Sequence, residues 1–362
     1  MRLTKVNYSE FQNHARHNYW ELKDLVLGKL NLIVSKNAIG KTRTINVIQS
    51  LALIINSQAN FKNGSWHVEF EGNSDEKLSY ELTLVEGKVT HEKLDFKSEE
   101  KLLRNSKTKI VSETQGKIEI EPPDDKLVML VRRDKKEHPY FEYLYEWAAN
   151  TTGYKFGKFD PQSITIPGDP KALLQSLDTV PSVFEKLSES SIRQVVKDFN
   201  SIGYELESAK LALAAGFPLN LKLIFLKEKN LKYPIVQMHV SSGMLRAFAL
   251  LVVFQYLLSE KKSKYGTILV DDFGEGLDYE RSTKLAQLIF SKIDKSNIQL
   301  ITTTNDRFLM NSVDIENWNI LNREGDLVSA LNYQNSKEVF DKFKLTGLSN
   351  FDLFSSDYLV KE

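Results

Sequence analysis

Ser35-Lys36-Asn37-Ala38-Ile39-Gly40-Lys41-Thr42 follows the apolar run Leu30 to Val34 and precedes Ile45, Ile48, Ala52 and Ile55, which are spaced as one helical face. Strand, loop and helix in that order form the frame of a phosphate-binding loop. The loop N–H groups and the helix N-terminus converge on phosphate oxygens, Lys41 adds a point charge, and the Thr42 hydroxyl can hold Mg²⁺. The full pattern begins with Gly, and Ser35 stands in that place. A Gly-Lys-Thr after an apolar run is as readily coincidence as function, so the rest of the chain has to decide.

At 362 residues the chain can form one large α/β domain with insertions or two modest domains. Its 48 basic and 48 acidic residues cancel, so no global field draws it to nucleic acid or an anionic membrane, although local patches stay open. Cysteine is absent, which excludes disulfides and thiol catalysis and fits a reducing compartment. Met1 to Glu10 is mixed and polar, without the apolar core of a signal peptide. The most apolar run, Ala247 to Leu258, is short for a bilayer and contains Gln255. These features predict a cytoplasmic protein with no membrane partner.

Four regions follow from changes of period: a first lobe over 1–135, a helical insert over 136–215, a second lobe over 216–330 and a tail over 331–362. In the first lobe, His67 to Phe70, Leu78 to Val85, Val89 to Phe96, Lys117 to Ile120 and Leu127 to Val131 alternate. Gly72, Gly87 and Gly116 punctuate them, which predicts an antiparallel meander. Pro122-Pro123-Asp124 marks a turn before the last of these strands. From Tyr140 to Ala215 the period is helical, with Phe141, Leu144, Tyr145 and Ala148 as one face. Leu221 to Leu226 and Ile235 to Val240 read as strands, and Arg281 to Ile293 as a helix.

Two further motifs lie in the second lobe. Ser241-Ser242-Gly243-Met244-Leu245-Arg246 precedes a helix apolar on nearly every side, either an ordinary capped core helix or an anion-facing N-terminus. Thr267 to Asp272 is a strand ending in the acids Asp271 and Asp272, either a polar turn or a metal and water site. The compact turn Gly276-Leu277-Asp278 follows, and a later strand ends in Thr302-Thr303-Thr304.

In this order the motifs resemble the ABC-type ATPase head, and within that class the RecF-, SMC- and OLD-like ATPases, including bacterial defence ATPases. The resemblance implies an α/β P-loop NTPase fold of ABC type: a mixed central sheet with an antiparallel β-meander and a helical insert. It implies ATP and Mg²⁺ as cofactors. Ser35, Asn37, Ala38, Ile39, Gly40, Lys41, Thr42 and Arg43 then form the cradle, Ser241, Ser242, Gly243 and Arg246 the signature, and Asp278 closes the D-loop. Thr42 and Asp271 would hold the metal, and Asp272 would act as the base assisted by Lys41. Such heads close as a homodimer or higher oligomer around ATP, the P-loop of one subunit facing the signature of the other.

The departures carry meaning too. Ser35 and Ala38 replace glycines, Asp272 stands where Glu is usual, and no histidine follows the threonines; Thr304 or Asn305 takes that place. Slow hydrolysis is the expectation, or a structural ATP-binding scaffold with little turnover. Tyr8 and Phe11 either stack on adenine or belong to the core. His14 and His17 have ligand spacing without a completing shell. Arg132 to Lys136 reads as a solvated turn or a phosphate contact, and Phe340 to Tyr358 as packing on the head or a docking patch. The long interval from Lys41 to Ser241 argues against a transporter motor, and no heptad run supplies an SMC-length arm. The remaining reading is a compact head controlling an effector in trans, a nuclease or toxin, in anti-phage defence or DNA maintenance. Direct RecF-like action on DNA is the alternative.

Overall fold

A computed structural model describes residues 1–10, 19–57, 62–72, 76–156, 180–213, 222–259 and 265–355. The chain folds as two units, Met1–Thr151 with Asp314–Glu362, and Thr152–Val313. The first unit begins with β1 (Arg2–Ser9), β2 (Glu21–Val26) and β3 (Leu30–Val34), then α1 (Lys41–Ile55). Ile45, Ile48, Leu51, Ala52 and Ile55 are buried along α1. Each such large aliphatic side chain contributes roughly 1.5–3 kcal/mol by leaving water.

Strands β4 (Gly64–Glu71), β5 (Lys77–Val85), β6 (Lys88–Phe96), β7 (Glu99–Arg104), β8 (Thr108–Ser112) and β9 (Gly116–Ile120) form the meander. Its register sets Trp66 opposite Leu82, Val68 opposite Tyr80 and Phe70 opposite Leu78, all inward-facing, because alternate residues share a face. Strands β7 and β8 were not evident in the sequence, since Glu-Glu-Lys-Leu-Leu-Arg lacks clean alternation.

The expected strand from Leu127 to Val131 is instead a short helix, α2 (Val128–Val131). Its first N–H does not join a ladder: Val128 N donates to Glu92 Oε2 at 2.9 Å, while Tyr80 donates its hydroxyl to Glu92 Oε1 at 3.0 Å. Glu92 is fully buried, and burial pushes its carboxyl up from 4.5 to about 7. A carboxyl with a raised folded pKa binds its proton more tightly when folded. Its contribution to stability is therefore complete below about pH 4.5 and is lost as the pH rises through about 7, roughly 3 kcal/mol in all. Glu92→Gln is expected to remove this slope from unfolding free energies measured across pH 4 to 8, and an unchanged slope would assign it elsewhere.

Helix α3 (Tyr140–Ala149) buries Tyr140, Phe141, Leu144, Trp147 and Ala148, with Tyr145 half-buried beneath the Arg133 guanidinium at 3.6 Å. Arg133 and Lys135 also pair with Glu142.

The second unit holds β10 (Thr151–Lys155), α4 (Val180–Lys186), α5 (Glu189–Ser201), β11 (Leu206–Leu213), β12 (Lys222–Glu228) and β13 (Ile235–Val236). Strands β10 and β11 correct the expectation of a helical period from Tyr140 to Ala215. Leu-Glu-Ser-Ala-Lys-Leu-Ala-Leu has helix-forming residues, but antiparallel pairing with β12, Ala209 opposite Leu226, overrides that preference. Strand β13 ends four residues earlier than expected. Buried Gln237 turns its Oε1 to accept from Ile224 N at 3.0 Å, replacing the next ladder bond, and Gln237–His239 form a 3-10 turn.

Then come α6 (Ser242–Ser259), β14 (Gly266–Asp271), α7 (Tyr279–Asp294), β15 (Ile298–Thr303) and α8 (Arg307–Ser312). Helix α6 has 18 residues and is long and apolar enough to cross a membrane, yet 67% of it is buried within the protein. Phe199 meets its Phe248 edge-on at 5.5 Å. Strands β14 and β15 run parallel, Val270 opposite Thr302, with every residue buried, as a sheet covered on both faces requires.

The chain returns to the first unit with β16 (Trp318–Glu324), β17 (Leu327–Asn332), α9 (Lys337–Lys344) and α10 (Asn350–Ser355). Within that unit the strand order is β3-β16-β17-β2-β1-β4-β5-β6-β7-β8-β9. The β3–β16 and β17–β2 pairs are parallel and the meander pairs antiparallel, so the sheet is mixed. Phe340, Phe343 and Leu353 pack into the core, whereas Leu345 and Leu348 are exposed; Tyr358 lies outside the described residues.

Candidate functional site

In the first unit, Ser35 to Gly40 link β3 to α1, leaving Lys36, Asn37, Ala38 and Thr42 exposed and Ile39 half-buried. Helix α1 has no side-chain cap and no acid in its first turn, so its N-terminal donors and positive dipole end are not neutralised by an acid there. Lys41 is 8% exposed and its Nζ donates to the Ser35 carbonyl at 2.8 Å, spanning the loop's mouth. Gly40 needs its missing side chain: its φ is +133°, and a Cβ would lie 3.1 Å from the Trp20 ring. Ala38 adopts φ 64°, a conformation glycine would take without strain. The donor set fits a polyphosphate, with Lys41 as the charge and Thr42 as the exposed hydroxyl.

One residue of the expected cradle behaves otherwise, and of the two alternatives left open for Tyr8 the core is the one taken. Arg43 pairs with Glu10 and stacks on Trp20, 4.8 Å from ring centroid, so it braces the loop from the side. Tyr8 is buried between Trp20 and Trp66, and burial raises its phenol above the usual range; it belongs to the core. Phe11, His14 and His17 lie outside the described residues.

In the second unit, the acid pair is organised by a residue the sequence reading passed over. The fully buried Thr303 hydroxyl donates to Asp271 Oδ1 at 2.7 Å and accepts from Asp272 N at 2.8 Å. Asp271 is thereby fixed in place, 4% exposed, while Asp272 is half-buried on a left-handed backbone at φ 56°. Asn305 Nδ2 donates to Asp272 Oδ1 at 3.4 Å. Thr304 is turned inward instead: its hydroxyl donates to Phe273 O and accepts from Asp306 N, both at 3.1 Å, and fixes the turn.

The signature residues form the first turn of α6 rather than a loop before it, because Ser241 caps that turn through Met244 N and Leu245 N. Gly243 is buried, and a Cβ there would lie 2.5 Å from the Gly276 carbonyl. Its lack of a side chain is therefore demanded by this chain's own Gly-Leu-Asp turn. Arg246 Nη1 donates to Glu275 O at 3.1 Å, clasping the same turn. Asp278 caps α7 by accepting from Arg281 N at 3.0 Å; that bond, with the Arg281 guanidinium, holds its carboxyl below the usual range. Ser241 and Ser242 remain exposed.

This architecture is that of an ABC-type P-loop ATPase head. It is similar to the Smc head bound to the C-winged helix domain of ScpA, at 12% identity and TM-score 0.50, over 93% of this chain and 100% of that one. It is also similar to the Smc head with an extended coiled coil bound to the C-terminal domain of ScpA from Pyrococcus furiosus, at 11% identity and TM-score 0.50, over 95% and 99%. No curated protein matches in sequence. Residues 30–311, well over half the chain, match the family described as "AAA domain, putative AbiEii toxin, Type IV TA system", and the chain belongs to that family.

Proposed function

We propose that the protein is a Mg²⁺-dependent, slowly turning-over ATPase that dimerises around ATP and controls a partner protein. The observation that carries this reading is the α1 N-terminus, where no side chain caps the helix, its own first turn holds no acid, and Lys41 and the exposed Thr42 hydroxyl lie side by side. Lys36 to Lys41 would cradle the phosphates, with Thr42 and Asp271 as metal ligands. Mg²⁺, when bound, neutralises charge developing on the phosphate oxygens. Asp272 would orient and deprotonate the attacking water, with Asn305 steadying its carboxylate. Its shorter side chain, and an amide in place of an imidazole, support slow turnover.

Control of a partner in defence rests on the toxin named in the family description, and partner docking on the ScpA-bound heads. The effector, a nuclease or toxin, would act in trans in the cytoplasm; direct action on DNA is the alternative. The exposed Ser241 and Ser242 are the proposed contact for the second subunit's nucleotide. Ser242→Glu suits a helix N-terminus, so the fold is kept, while a carboxylate opposes incoming phosphate. Mg·ATP is expected to drive wild-type dimerisation in analytical ultracentrifugation, and the variant to bind ATP yet stay monomeric. Equal dimer formation by both proteins counts against the sandwich.

A further inference from the structure

Arg323 was not singled out by any motif, yet the fold brings it to the phosphate loop. Strand β16 runs parallel to β3 with Ile320 opposite Val34, so residues after Ile320 continue alongside the loop that follows Val34. Arg323 Nη1 donates to the Ala38 carbonyl at 3.5 Å, across 285 positions of sequence. The hairpin tip that carries it is fixed: Arg323 Nε donates to Gly325 O at 2.7 Å, and Glu21 N donates to Asp326 O at 3.0 Å. Arg323 also sits opposite Val328 in the β16–β17 register.

The carbonyl it holds belongs to the one non-glycine residue in the loop with positive φ, Ala38 at 64°. That conformation costs roughly 1–2 kcal/mol for an L-residue, so an external bond is needed to favour it. In a planar trans peptide the carbonyl and the following N–H point to opposite sides. Holding Ala38 O toward Arg323 therefore turns the Ile39 N–H away from it.

We propose that Arg323 is a positioning residue for nucleotide binding: it fixes the Ala38–Ile39 peptide so that the Ile39 N–H faces the nucleotide's β-phosphate. This rests on the ATPase reading above and adds to it a contribution from the far end of the chain. Backbone N–H groups of such loops cradle the α- and β-phosphates, and the Ile39 N–H is assigned to the β-phosphate, so the effect should be shared by ADP and ATP and not depend on the γ-phosphate. A guanidinium reaching the γ-phosphate itself would behave differently.

The test is calorimetric titration of full-length wild type, Arg323→Ala and Arg323→Lys with AMP, ADP and Mg·ATP, beside thermal unfolding without nucleotide. Arg323→Ala is expected to weaken ADP and ATP equally, by about 5- to 20-fold, the worth of one charge-assisted or phosphate hydrogen bond. AMP binding and the unfolding temperature should not move, and Arg323→Lys, which keeps a donor, should recover part of the loss. A loss confined to ATP, no loss at all, or a loss matched by a fall in unfolding temperature and shared by Arg323→Lys overturns the proposal. Lys41→Ala run in parallel separates the two levels. If it loses ATP while Arg323→Ala does not, only the role of Arg323 falls; if it keeps ATP, the phosphate-loop reading itself falls.

Discussion

Lys41→Ala is expected to weaken Mg·ATP binding by about 100-fold, the equivalent of ~2.7 kcal/mol, because a charge-assisted contact in a shielded site is lost. The ammonium is 8% exposed and rests on the Ser35 carbonyl at 2.8 Å, so it already occupies the mouth of the loop. An incoming phosphate needs only to take over that donor. Alanine removes the charge and leaves the Ser35 carbonyl short of a donor, while β3 and α1 keep their buried faces. Titration calorimetry with Mg·ATP, alongside far-UV circular dichroism, measures both consequences. Undiminished affinity in a folded variant would falsify the phosphate-loop assignment.

The second large effect concerns Asp272. Asp272→Asn is expected to keep ATP and Mg²⁺ bound and to slow single-turnover hydrolysis by about 10²–10⁴-fold, as removal of a placed general base does. Asparagine is a fitting probe because it tolerates the left-handed conformation that Asp272 adopts at φ 56°. Asp271→Asn should instead weaken metal binding, since that carboxylate is the one fixed by Thr303 at 2.7 Å. Asp272→Glu extends the carboxylate by one methylene toward the water and should accelerate turnover if reach is what limits it. Hydrolysis by Asp272→Asn at the wild-type rate moves the base elsewhere, with the exposed Glu275 next to examine. An inactive wild type would favour ATP as a structural ligand.

Local rules made much of this protein legible from its residues. Leu30 to Val34 is a strand, and Ile45, Ile48, Ala52 and Ile55 are buried along one helix, because apolar spacing is imposed by 2.0- and 3.6-residue periods. The long hairpins β4 to β6 were readable for the same reason. The ordered series of loop, Ser-Ser-Gly, acidic strand end and Gly-Leu-Asp pointed to the ABC-type head that the family match and the fold bear out.

What the sequence could not supply were facts that depend on partners distant in the chain. Leu127 to Val131 is a short apolar run that reads as a strand, but a buried Glu92 captures the Val128 N–H. Leu206 to Leu213 has a helix former's composition, but β12 offers a ladder that outweighs it. Of three consecutive threonines, only the paired register of β14 and β15 selects Thr303 to hold Asp271 and turns Thr304 to the backbone. Gly243 is a glycine because the Gly276 carbonyl occupies the space of its side chain. Arg323 reaches Ala38 because β16 lies parallel to β3. Propensity and period act over a few residues and are written in the sequence; hydrogen-bond competition and close approach act between segments, and are settled only when those segments pack.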